Sequence, residues 1–192
     1  MENKLVPIEI SARHVHLSDV DLENLFGKDY QLRVDRKISQ PGQFAAKEKV
    51  SIKTNNGELS VRVIGPTRDQ TQVELAVTDC IKLGIKPEVR LSGDLVNTPG
   101  CILVGPKSEA ILTQGVMVAQ RHLHINPEQA EQYNLKNDDV ICIKVGSSRK
   151  VIFHQVIVRC HSGVDELSFM IDTDEANAAG LIGGEQGEII IR

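Results

Sequence analysis

The sequence predicts a mainly β protein: two small β-barrel lobes related by internal duplication, with short capping helices. Three observations carry that prediction. Short β-type segments recur along all 192 residues while helical stretches are few and brief, which favours small closed barrels over a doubly wound sheet. The tetrad Arg13-His14-Val15-His16 returns in the second half as Arg121-His122-Leu123-His124. Each copy then runs into the same kind of helix start, so the repeat is a strand-to-helix unit and the chain has room for two lobes.

Taken in order, Val6–Ile10 reads as the first strand. Asp19–Phe26 reads as a helix, with Ser18 placed to cap its first free N–H groups. Lys49–Thr54 and Leu59–Val63 are strands joined through Asn56-Gly57, a strong hairpin signal, and Val73–Ala76 is another strand. Gly93 to Gly105, carrying Pro99 and Gly100, reads as the connection between lobes. It divides the chain into 1–95 and 96–192, with the C-terminal strands free to return to the first lobe. Gly115–Ala119 is a strand, and Pro127–Tyr133 is a helix with Asn126 as cap and Pro127 in its first turn. Val140–Val145, Lys150–Arg159, Leu167–Ile171 and Glu188–Ile191 complete the strands, with turns at Gly146-Ser147-Ser148 and Ser162-Gly163. Asp172 to Asn177 lacks the glycine and distal glutamate of a calcium loop; it reads as the capped start of a short helix, Glu175–Ala179.

Composition narrows the function classes. The net charge is −4 and the basic residues are dispersed, so nothing suggests a nucleic-acid groove or a membrane patch. No apolar run approaches a transmembrane length and there is no signal-peptide core. Cys80, Cys101, Cys142 and Cys160 are widely spaced and read as reduced core cysteines of a cytosolic protein. Tryptophan is absent and aromatics are 3% of residues, so the core must be built from Val, Ile, Leu and Ala.

The candidate chemistry begins with the two His-x-His pairs. Side chains alternate along a strand, so both imidazoles of a pair share one face and can share a metal ion. Imidazole suits zinc and its neighbours. One such pair alone is usually two surface or satisfied histidines, but four of the six histidines fall in the repeated tetrads, and that coincidence favours metal. The preceding arginines are strand-face charges that would attract anions beside a metal. Gly65 to Glu74 is a polar loop running into a strand. Arg68 in it is a candidate phosphate or oxyanion clamp, because guanidinium matches phosphate in a two-pronged fork. Glu74, between Val73 and Leu75, wants a metal or an arginine as partner. There is no Gly-x-Gly-x-x-Gly, P-loop or Gly-x-Ser-x-Gly, which leaves nucleotide-driven phosphoryl transfer and serine hydrolysis without support.

These motifs together resemble the PduL-type phosphotransacylases, the phosphate propanoyltransferases, which move an acyl group between phosphate and coenzyme A (CoA). The matching stretches are Ser11 to Ser18, Gly65 to Asp79, Leu83 to Asp94, Val118 to Ile125 and Asp172 to Ala179, in the family's order. The resemblance implies two β-barrel lobes, two zinc ions and a homodimer. It implies that His14, His16 and Glu74 hold one zinc whose remaining position receives the CoA sulfur. His122 and His124 would hold the second zinc with waters, Arg68 would hold phosphate or acyl phosphate, and Ser11, Arg62 and Asn177 would contact CoA. Some similar enzymes carry an N-terminal extension for a bacterial microcompartment; the first strand begins too early here for one, so the expected location is the cytoplasm. In one place the chain departs from the pattern. A histidine that completes the second zinc site is replaced by Met170, and a thioether suits zinc poorly. If Lys150–Arg159 and Leu167–Ile171 form a hairpin, Met170 lies opposite Ile157, and His154 and His161 are too far along to substitute. The second site is therefore expected to have two imidazoles, more water and weaker occupancy. A dinuclear metallohydrolase and a non-enzymatic metal or acyl-CoA binding protein are the competing readings of the same His pairs.

Overall fold

A computed structural model describes residues 4–146, 148–161 and 166–190. The expected turn at Ser162-Gly163, and Ser147 of the other expected turn, lie outside these residues. The first half of the chain forms β1 (Leu5–Ser11), β2 (His14–His16), α1 (Asp19–Phe26), β3 (Val34–Lys37), β4 (Phe44–Thr54), β5 (Gly57–Gly65), β6 (Gln72–Glu74), α2 (Val77–Leu83) and β7 (Val89–Arg90). The second forms β8 (Cys101–Val104), β9 (Glu109–Leu112), β10 (Val116–Ala119), β11 (His122–Ile125), α3 (Pro127–Tyr133), β12 (Val140–Val145), β13 (Val151–Cys160), β14 (Ser168–Asp172), α4 (Thr173–Ala179) and β15 (Gln186–Ile190). The protein is mainly β with short helices, as the sequence predicts.

The residues form two compact units, Arg13–Ala119 on the one hand and Met1–Ala12 with Gln120–Arg192 on the other. In Arg13–Ala119 a curled open sheet runs β7-β10-β6-β2-β5-β4-β8-β9, with β3 pairing on β4. Its inner face buries Val15, Val61, Val63, Val73, Ile52 and Leu103 against Leu22 and Leu25 of α1 and Leu83 of α2. The β4–β5 hairpin turns through Asn55 and Asn56, because Thr54 already pairs with Gly57, one residue earlier than the Asn56-Gly57 turn expected. At the far end of β5 the Phe44 ring packs where a side chain on Gly65 would stand, 2.3 Å from an added Cβ, so any larger residue there would have to displace the ring.

The other unit is a closed barrel ordered β1-β14-β11-β13-β12-β15, with β15 pairing back on β1. Val6, Ile8, Leu123, Ile125, Ile143, Val158 and Phe169 fill it, the aliphatic core that the composition requires. β13 and β14 do not form the expected hairpin. β11 lies between them, paired parallel to β13 and antiparallel to β14, so His122 has Ile157 on one side and Met170 on the other.

The strands around the two His pairs repeat in order and direction. β2 lies between β5, parallel, and β6, antiparallel, as β11 lies between β13 and β14. β10 runs parallel beside β6, as β1 runs parallel beside β14. The strand just before each His pair in sequence therefore belongs to the sheet of the other pair. This exchange places the divisions at 12/13 and 119/120 and not at 95/96. The segment read as a connection, Gly93 to Gly105, contains β8, which pairs with β4 inside the first sheet.

Candidate active site

β2 and β6 bring the first ligand set together. Register puts His14 opposite Glu74 and His16 opposite Gln72, so all four side chains leave one face of the sheet. His14 Nε2 stands 3.6 Å and His16 Nε2 4.0 Å from Glu74 Oε1. Among the described residues, these three are the one group of His, Cys, Asp or Glu whose ligand atoms all lie within 4.8 Å of one another. His16 is 3% exposed. Burial above all, then His14 and Arg68, depress its pKa to about 3, so it is a neutral imidazole at physiological pH. Burial alone would raise Glu74, but His14, His16 and Arg68 outweigh it and hold the carboxyl below its ordinary range. Two imidazoles and an ionised carboxylate form a three-ligand set with an open position, which fits zinc.

Gln72, 1% exposed, ties this set to its surroundings. Its Nε2 donates to Glu74 Oε1 at 2.6 Å and to Ser92 Oγ at 2.9 Å, and its Oε1 accepts from the Gly93 N–H at 2.8 Å. Ser92 Oγ also accepts from Arg68 Nη1 at 3.1 Å. Arg68 is half-buried, and its own N–H donates to the Leu17 carbonyl at 2.9 Å, fixing the loop just beyond His16. The carboxylate ligand and the candidate phosphate clamp thus share one hydrogen-bonded chain. Sequence reading singled out Glu74 and Arg68 and passed over Gln72.

The arginines of both tetrads have a structural partner. Arg13 Nε lies 3.1 Å from Asp79, and Arg121 Nε lies 2.7 Å from Glu175. Each carboxylate is the third residue of the helix that follows the strand opposite the His pair, α2 or α4. The arginine therefore docks a helix end in both copies, which explains its place in the repeat without an anion.

At the second pair, His122 Nε2 and His124 Nε2 are 3.0 Å apart. His122 Nδ1 donates to the Gln120 carbonyl at 2.8 Å, a bond that leaves Nε2 with its lone pair as a ligand. Met170 occupies the register position that Glu74 holds in the first set. A histidine–histidine–thioether set does not fit zinc as the first set does. His154 is not a replacement, since its Nδ1 lies 3.2 Å from Cys142 Sγ on the neighbouring β12.

The three candidate CoA contacts fall in both units. Arg62 sits beside His14 on β5, with Nη1 on the Ala46 carbonyl at 2.6 Å and Asp35 Oδ2 at 3.2 Å. Ser11 pairs in register with Asp172, the N-cap of α4, and Asn177 is exposed on that helix. The cysteines are all free, and burial pushes the Cys101 thiol up to about 12, which leaves it inert. No helix among the described residues is long and apolar enough to cross a membrane.

A family model described as phosphate propanoyltransferase matches residues 7–182. A phosphate propanoyltransferase of Thermotoga maritima is 46% identical over 180 residues, 93% of this chain and 85% of that protein. Those of Sebaldella termitidis and Listeria monocytogenes are each 42% identical, over 95% and 96% of this chain and 86% and 87% of their own lengths.

Proposed function

The chain belongs to the phosphate propanoyltransferase family, and from that premise we propose that it catalyses the metal-dependent interconversion of acyl phosphate plus CoA with acyl-CoA plus phosphate, the acyl group being propanoyl or acetyl. The observation that carries the reading is the His14–His16–Glu74 set joined through Gln72 and Ser92 to Arg68. A zinc ion on these three ligands would supply a Lewis acid that lowers the pKa of the CoA thiol.

The other tasks belong to the chain's own residues. Arg68 grips the phosphoryl oxygens in its planar fork and offsets the charge that gathers there as phosphate departs. The CoA sulfur attacks the acyl carbon: a C–S bond forms, the C–O bond to phosphate breaks, and phosphate leaves with the electron pair while the thiol proton passes to solvent. Gln72 holds Glu74 turned towards the imidazoles, and buried His16 stays unprotonated. No side chain has to act as nucleophile, so transfer is direct with no acyl-enzyme. Ser11, Arg62 and Asn177 are the CoA contacts in this reading. His122 and His124 offer a second, weaker metal position completed by water. The enzyme is a cytoplasmic homodimer in the same reading, with its cysteines reduced.

Mixing zinc-loaded protein with CoA and either acetyl or propanoyl phosphate tests this. Thioester that needs both substrates and disappears on chelation supports the transacylase and ranks the acyl groups. Acyl phosphate consumed without thioester would favour a hydrolase. Arg68→Ala should lose at least about tenfold in turnover; unchanged kinetics would refute its role.

A further inference from the structure

The two His pairs are copies in backbone and not in chemistry. β2, β6 and β10 correspond to β11, β14 and β1. In the first set His14 is flanked by Glu74, and Glu74 by Met117 on the next strand. In the second, His122 is flanked by Met170, and Met170 by Glu9. Carboxylate and thioether have changed places between the two sheets. Residues paired in register leave the same face, so the Met170 thioether accompanies His122 and His124, whereas the Glu9 carboxylate is displaced by one strand, about 4.8 Å. Glu9 accordingly joins no three-ligand cluster with the histidines.

This exchange changes what the second pair can hold. The first set brings an anion to its cation; His122, His124 and Met170 bring none. Two nitrogens at tetrahedral positions about 2.0–2.1 Å from one ion stand about 3.3 Å apart, so the observed 3.0 Å needs only a few tenths of an ångström of adjustment. The Gln120 carbonyl holds His122 by Nδ1, which turns its Nε2 towards His124 Nε2. The nearest further donor by register is a soft sulfur, and a neutral nitrogen–nitrogen–sulfur set favours a soft cation of low charge over a divalent one.

We propose that His122, His124 and Met170 form a site for a soft monovalent ion of the copper(I) class and bind zinc poorly, so that the two His pairs of one chain take different metals. The exchange of glutamate and methionine between equivalent strands is what sorts them. Metal binding at the second pair also displaces the proton shared between the two Nε2 atoms.

Metal-stripped full-length protein, kept reduced and anaerobic, is titrated with zinc against a chromophoric chelator and with copper(I) against a copper(I) chelator. Cysteines also take copper(I), so the informative quantity is the difference between wild type and Met170→Leu. One tight zinc equivalent is expected in wild type, unchanged in Met170→Leu, while copper(I) binding weakens at least about tenfold in that variant. Met170→Glu, which copies Glu74, should gain a second tight zinc equivalent. Two zinc equivalents of equal tightness in wild type, or copper(I) binding indifferent to residue 170, would overturn the proposal. Should Met170→Leu fail to fold, the wild-type zinc stoichiometry still decides. Neither titration needs turnover, so the result stands apart from the transacylase reading.

Discussion

Glu74 Oε1 faces two imidazoles and accepts a hydrogen bond from Gln72, whose amide is oriented by Ser92 on its nitrogen and by the Gly93 N–H on its oxygen. Groups that orient a metal ligand in this way are worth about 10–100-fold in metal affinity. Gln72→Leu should therefore weaken zinc binding by that factor in a chelator competition while the fold persists; an unchanged affinity would reduce Gln72 to packing. His16 sets the pH behaviour. Its ordinary pKa of 6.5 falls to about 3 in the fold, so the unfolded chain takes up a proton that the folded chain refuses. Stability is complete above pH 6.5 and declines as pH falls towards 3, and the lowered Glu74 adds in the same direction below 4.5. Metal-free protein should lose about 2 kcal/mol between pH 7 and pH 5, read from urea midpoints. The histidines announced themselves by repeating and Glu74 by being a carboxylate between apolar neighbours. Gln72 sat unnoticed in a polar run, although it stands two residues before Glu74 and so on the same strand face.

α1 and α3 carry side-chain caps and were readable at both ends, whereas α4, capped by Asp172, begins at Thr173, two residues before the expected start at Glu175. Ser18 Oγ accepts from the Asp21 N–H and Asn126 Oδ1 from the Gln129 N–H, and α1 and α3 span the residues the sequence predicts. α2 had no such mark. Its N-cap is Ala76, which has no side-chain acceptor, and the sequence reading placed no element over Val77–Leu83. Asp79 secures it: its carboxylate accepts from the Ala76 N–H within the helix start and pairs with Arg13, which lies in the bend between β1 and β2. Arg13→Ala leaves the Asp79 carboxylate, 8% exposed, without its cation. The cost should be on the order of 1–3 kcal/mol in urea unfolding. A midpoint that does not move would remove this role for the arginine. The reading of β13 and β14 as a hairpin failed for a related reason: nothing local tells a strand that β11 will come between it and its neighbour in sequence.

At the level of the whole chain, duplication was legible and its wiring was not. A repeat suggests a cut between two halves, but β1 finds its partners in β14 and β15, near the other end of the sequence. One consequence can be measured. Removing Leu5–Ser11 should spare the sheet around His14 and open the barrel around His122, although the deleted strand adjoins His14 in sequence. Hydrogen exchange would show protection lost in β14 and β15 and kept in β2, β5 and β6; the reverse pattern would contradict the exchange of strands.

The same wiring has a cost in time. β1 leaves the ribosome before any other strand described here and pairs with the two made last. At about 5–20 residues per second, it waits roughly 8–30 s for β14, while the sheet of residues 13–119 is completed ahead of it. An unpaired strand in a crowded cell invites pairing with other chains. Pro7 stands in the middle of β1 and has no N–H to offer, so the strand waits with a gap in its own template.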